Sequence, residues 1–224
     1  MAERTADLLK GIVARAADAP SRDWFQGVWP AESPAPTTAR LRAAFAGVGR
    51  RLADAAPELD DPTRRRLVEA GAPGAAGWRL RDFARAALLA RALDVLPPES
   101  HPAVVRELFR RGDYREQAAV LRALPLLPEP ARFLDLAVEA CRTNVLDVFE
   151  AIACDNPYPA AHFPGANFNQ MVVKALFVGA PLARVRGLAD RDTPELRRMV
   201  GDFASERRAA GRPVPEDAGL VLRS

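Results

Sequence analysis

The sequence predicts an all-α protein of stacked antiparallel helix pairs resembling degenerate HEAT-type repeats, an α-solenoid-like architecture. Three observations predict it. Apolar residues recur at helical spacing almost throughout, and alternating β-branched or aromatic runs of strand length are absent. From Trp78 onward the helical stretches are separated by at most five residues, so sequence neighbours must pack antiparallel. The repeats are degenerate, with no clean fixed period. The 224 residues are 49% hydrophobic and 27% charged, enough apolar material for one sizeable core. Residues 1–224 therefore read as a single α-helical domain.

The elements follow in order. Residues 3–18 form a first amphipathic helix with Leu8, Leu9, Ile12, Val13 and Ala16 on one side, stopping at Pro20. Residues 20–36 hold four prolines and two of the three tryptophans, which suits an ordered connection anchored by Trp24 and Trp29; a ligand-stacking role for the indoles is the alternative. Thr37 or Thr38 caps a helix running to about Ala56, and Asp60 or Asp61 with Pro62 opens the next, to Ala70. The run GAPGAAG, residues 71–77, breaks the chain. Helices are then expected over 78–95, 99–111, 113–124, 130–141 and 142–153. Asp113-x-x-Glu116 is a capping box, and Pro125, Pro128 and Pro130 end one helix and start another. Thr143 and Asn144, at the junction of the last two, suit either an N-cap or a polar wall. The final helix opens with Asp192-x-x-Glu195 and Pro194, closes at Gly211, and turns Leu196, Met199, Val200 and Phe203 inward.

Charge excludes a strongly basic polyanion binder. Lys plus Arg is 32 against 29 acidic residues, a formal charge of +3, and 30 of the cations are Arg. The two lysines are Lys10 and Lys174. So strong a skew is most simply a codon-usage effect, which devalues any single Arg and lends weight to a retained Lys. The Arg pairs are spread over separate helices and make no single stripe for phosphates. Nucleic acid is accordingly the weakest partner class.

Cys141 and Cys154 show no CxxC and no paired spacing, as expected of small buried hydrophobes in a reducing compartment. The N-terminus is charged from residue 3 and lacks the apolar core of a signal peptide. The most apolar window, residues 171–183, falls short of the ~18 residues a spanning helix needs. A cytoplasmic protein without a transmembrane segment is expected.

Residues 154–194 differ in kind from the Ala/Arg/Leu helices before them. Asp155, Asn156, Pro157, Tyr158 and Pro159 make a turn, since Asn and Asp bond their own backbone and Pro fixes φ. His162 follows, one of two histidines, then Asn167, Asn169 and Gln170 at the start of a helix. On that helix Phe168, Met171, Val172, Ala175 and Leu176 share one face, and Val173 and Phe177 extend it around the side, which predicts a central helix. Gln170 and Lys174 are i,i+4 neighbours on its narrow polar strip. Lys174 reads either as a cation facing an anionic group or as a side chain that snorkels from a packed helix to solvent, or pairs with Glu150 or Asp155. His162 reads either as a core histidine donating to a carbonyl or as a ligand contact and proton shuttle. Arg142, Thr143, Asn144, Asp147 and Glu150 offer a solvated polar face opposite Val145, Val148, Phe149 and Ile152.

The chain lacks GxSxG, P-loop, GxGxxG and HxxxH patterns and paired catalytic acids, which argues against a recognisable enzyme. Cys141, Cys154, His101 and His162 match no zinc spacing, so no metal or other cofactor is expected.

The stretches NPYPAAHF, FNQMVVKALFVGAPL and GLADRDTPELRRMVGDFASERRAAGRPVPED closely resemble the C-terminal half of EboA-domain proteins, a match spanning about residues 141–217. The piece from DYREQAAVLRALPLLPEP through NVLDVFEAIA is similar to the helical middle of the same family, and residues 1–100 are only loosely so. The resemblance implies a cytoplasmic bacterial protein from a gene cluster that also encodes a membrane prenyltransferase. It further implies a role in moving a prenylated or aromatic metabolite precursor toward the periplasm, with no established reaction. By position in the matched motifs, Asn156, Tyr158, His162, Asn169, Gln170 and Lys174 are the candidate pocket residues. The leading expectation is a non-enzymatic binding or adaptor protein whose partner is the prenyltransferase or another cluster protein. The alternatives are an enzyme with His162 as acid/base and Lys174 as electrostatic stabiliser, and a HEAT-like nucleic-acid binder.

Overall fold

The computed structural model describes residues 4–31 and 35–223; Glu3, at the start of the first expected helix, and residues 32–34 of the Trp/Pro-rich connection lie outside them. Every regular element among the described residues is helical, as the periodicity predicts. The chain divides into two compact units, Met1–Leu136 and Ala137–Ser224. No helix among the described residues is long and apolar enough to cross a membrane.

In the first unit, α1 (Thr5–Ala16), α2 (Ala19–Gly27), α3 (Thr38–Arg51), α4 (Asp61–Glu69), α5 (Leu80–Val95), α6 (His101–Arg111) and α7 (Tyr114–Ala123) follow one another. Helix α5 is the axis. Twelve of its 16 residues are buried, so it is covered on nearly every side rather than along one stripe. Its neighbours are α1, α3 and α7, which bring Leu9, Ile12 and Val13, then Leu41, Phe45 and Val48, then Val120 and Leu121. Two charges go inside with it. Arg85 is 3% exposed, donates from Nε to the Phe45 carbonyl at 3.3 Å and lies 3.8 Å from Glu116. Burial lowers the Arg85 pKa, and the Glu116 carboxylate opposes that more than any other neighbouring charge. Asp82 accepts from Arg122 at 2.9 Å and from the backbone N–H of Arg79 at 3.0 Å, so one carboxylate caps α5 and joins it to α7.

Several expected boundaries move: the first helix ends at Ala16 and not at residue 18, the helix expected from residue 142 begins at Leu146, and two further changes alter the connections. Pro20 does not stop α1, which has already ended at Ala16; it lies in the first turn of α2, whose N-cap Asp18 accepts from the Ser21 N–H at 2.8 Å. The Trp/Pro-rich connection therefore carries a helix of its own. Helix α3 ends at Arg51 instead of reaching Ala56, because the next residue, Leu52, turns extended and buries its side chain.

The boundary between the units falls within α8 (Leu134–Ala140). The second unit then holds α9 (Leu146–Ala153), α10 (Tyr158–His162), α11 (Gly165–Val178), α12 (Pro194–Ala209) and α13 (Gly219–Leu222). Its core joins Val148, Phe149 and Ile152 of α9 to Phe168, Met171, Val172 and Leu176 of α11 and to Leu196 and Val200 of α12. Helix α11 is more one-sided than its sequence suggests. Phe177 is 68% exposed, because it follows Gln170 by seven residues and so falls on the same outward strip. The cap of α12 also shifts by one: Thr193 accepts from the Leu196 N–H at 3.2 Å, which frees Asp192 to hold Arg197.

Candidate functional site

The family-like segment begins with a turn that uses most of its polar atoms internally. Asn156 Oδ1 accepts from the Tyr158 N–H at 3.0 Å while Nδ2 donates to the Ala151 carbonyl at 2.9 Å, tying the end of α9 to the start of α10. Asp155 has a φ of 54°, the left-handed region that Asp tolerates better than most residues. Its N–H donates to the Arg184 carbonyl at 2.7 Å. The Arg184 guanidinium returns to the Asp155 carboxylate at 2.8 Å and to Glu150 at 3.1 Å, and the hydrogen bond to Asp155 is the main cause that pushes the Arg184 pKa up. Glu150 and Asp155, the partners expected of Lys174, are thus held by Arg184.

Tyr158 is fully buried, with the half-buried His162 ring 4.6 Å from it and Phe163 edge-on at 6.3 Å. Arg191 closes this corner from the loop before α12. It donates to the carbonyls of Ala160 at 2.8 Å and Phe163 at 2.7 Å, and its guanidinium stacks 4.8 Å above the Phe168 ring. Sequence reasoning passed over Arg191 because an Arg is ordinary in this composition; the matched stretch GLADRDTP was the available signal.

Lys174 does not pair with Glu150 or Asp155. Its ammonium donates to the carbonyls of Cys141 and Thr143, each at 2.6 Å, and lies 5.3 Å from the Phe149 ring. It therefore satisfies backbone oxygens of the turn that follows α8. In the same turn Thr143, not Asn144, accepts the N–H of Val145, at 3.1 Å.

Of the six candidate residues, Gln170 and Lys174 share one recess of about 230 Å³ with Cys141, Arg142, Phe163 and Asn167. Asn156, Tyr158, His162 and Asn169 do not line it; Asn156 and Asn169 are buried, each 5% exposed. The recess is smaller than the usual ~300–1,000 Å³ of a small-molecule site. Burial pushes the Cys141 thiol up to about 12 and the Cys154 thiol up to about 11, so neither supplies a thiolate nucleophile at neutral pH. No group of three or more His, Cys, Asp and Glu residues suited to a metal ion exists among the described residues. The other histidine, His101, is buried in the first unit, where Nε2 donates to the Leu96 carbonyl at 3.1 Å.

No curated protein and no solved structure matches the chain. One family model, described as metabolite traffic protein EboA, matches residues 5–221 and so reaches across both units, well beyond the dense motifs of the C-terminal third. The chain belongs to the EboA family.

Proposed function

We propose that this protein is a non-catalytic binding or adaptor protein of bacterial metabolite traffic. It acts in the cytoplasm, helps a prenylated or aromatic precursor toward the membrane or periplasm, and has a membrane prenyltransferase or another protein of the same gene cluster as its partner. The family description supports the traffic role. The single observation that carries the non-catalytic reading is the commitment of Lys174. An electrostatic stabiliser aims its charge at the reacting group, whereas two of the three N–H donors of this ammonium are engaged by backbone carbonyls. Asn156 and Arg191 are engaged in the same way, holding turns. The close succession of α6 and α7, capped by Asp113 and Glu116, supports reading the helices as degenerate HEAT-type pairs.

Native mass spectrometry of the protein purified from its own host tests the proposal. A small molecule or protein retained in stoichiometric amount is expected, released unchanged on denaturation. Bare protein would overturn the binding role. Conversion of the retained molecule to a different mass, abolished by His162→Ala, would replace the adaptor with an enzyme.

A further inference from the structure

An aromatic-lined cavity of about 560 Å³ in the first unit lies between α2, α3 and residues 28–31 and 36 of the connection. Its volume is that of an ordinary small-molecule site. Arg40, Ala43, Ala44, Gly47, Arg50 and Arg51 of α3 line it, at spacings of three and four residues that place them along one face. The groove thus runs along α3 from Arg40 to Arg50 and Arg51, backbone positions about 15 Å apart by the helical rise. Trp24, Val28, Trp29 and Pro30 supply the apolar wall.

The wall is held in place. Trp24 packs closely against α3 because residue 47 is glycine; a Cβ there would collide with the indole ring. Trp29 is set edge-on to Phe25 at 5.7 Å, with the Lys10 ammonium 4.5 Å from its ring centroid. The Pro30 carbonyl accepts from Arg91 Nε at 3.1 Å, and Ser21 Oγ donates to the Arg51 carbonyl at 2.6 Å, joining α2 to the end of α3. Lys10, the other of the two lysines, is therefore part of this support.

The charge of the described lining is one-signed. The described lining contains three arginines and no carboxylate, and Arg40, Arg50 and Arg51 form no ion pair with a described residue. Arg50 and Arg51 also suit the negative C-terminal end of α3, but Arg40 stands in its first turn, where the helix dipole disfavours a cation. Helix stability does not account for it.

We infer that this groove binds an amphiphilic organic anion, its flat or branched apolar body against Trp24 and Trp29 and its anionic head on the arginines. The inference rests on the carrier reading above and gives that carrier its site. Two fluorescent probes of nearly the same shape test it: 8-anilinonaphthalene-1-sulfonate, an anion, and neutral N-phenyl-1-naphthylamine. Wild-type protein should bind one equivalent of each. Arg50→Gln/Arg51→Gln, at exposed positions, should weaken the anion by about tenfold or more and the neutral probe by under about twofold, the difference expected from charge-assisted hydrogen bonds. Ala43→Trp, which fills the groove from an exposed position, should weaken both probes with the far-ultraviolet circular dichroism unchanged. Failure of either result overturns the inference. If Ala43→Trp purified from the host still carries the molecule found on the wild type, the groove is not the site and the carrier reading stands. If the host-purified wild type is bare, the carrier reading fails, while the probes still decide the groove.

Discussion

Lys174 sits on α11 more than 30 positions along the chain from the carbonyls of Cys141 and Thr143 that it satisfies. In a chain with 30 Arg and two Lys, the sequence shows that an ammonium is retained there. Its target depends on where the turn after α8 comes to rest, which no local pattern encodes. A compact ammonium with freely rotating donors reaches two converging oxygens that a planar guanidinium would meet at fixed angles. Lys174→Met keeps the stem and removes the donors, leaving two partly buried acceptors unpaired. Hydrogen bonds from a charged group contribute about 1.5–3 kcal/mol each, and partial exposure reduces the sum. Urea denaturation of Lys174→Met should therefore show a loss of about 2–3 kcal/mol, with retention of the co-purified molecule unchanged. A loss under about 0.5 kcal/mol accompanied by release of that molecule would transfer Lys174 to ligand binding.

At the scale of elements, helix caps are the part of the fold most readable from sequence. Thr37, Asp60 and Asp113 cap where their position before a helical run predicts. Helix α2 was hidden because Pro20 is compatible with ending one helix and with opening the next, and only the bond from Ser21 to Asp18 separates the two. Packing between elements is less readable still, as Gly187 shows. This residue has a φ of 70°, and a Cβ there would lie 2.6 Å from the Cβ of Ala160 on α10. Its loop carries Arg191, whose bonds to the carbonyls of Ala160 and Phe163 require that close approach. Gly187→Ala should cost about 2–3 kcal/mol, of which about 1–2 kcal/mol is the left-handed backbone and the remainder the collision. A thermal double-mutant cycle with Ala160→Gly should recover about 1 kcal/mol as coupling, since the second change relieves the collision and leaves the backbone strain. Zero coupling would show that the loop moves away from α10 when residue 187 gains a side chain.

Over the whole molecule, fold class was legible because helical periodicity is a property of every segment, whereas the composition signals of the candidate site are shared with structural work and do not separate the two. Asn156, Tyr158 and Lys174 are uncommon residues in a dense motif, and the structure uses them to hold turns and fill the core. Arginine shows the converse: it was devalued everywhere by composition, and it divides in space. Arg184 and Arg197 meet carboxylates, and Arg91, Arg132 and Arg191 meet carbonyls, so their charge is already engaged within the chain. A polyanion gains affinity by releasing the counterions it exchanges for protein cations, roughly one per phosphate contact. Cations already paired internally contribute little to that exchange, and the net charge available is only +3. Binding to a duplex of about 30 base pairs at about 150 mM salt should therefore be weaker than about 100 µM, the weak end of ordinary non-specific association. Fluorescence anisotropy at about 50 and about 200 mM salt measures it. Micromolar affinity falling about a thousandfold between those salts would mean that the arginine faces act together as a phosphate-binding surface, and the HEAT-like nucleic-acid reading would displace the carrier.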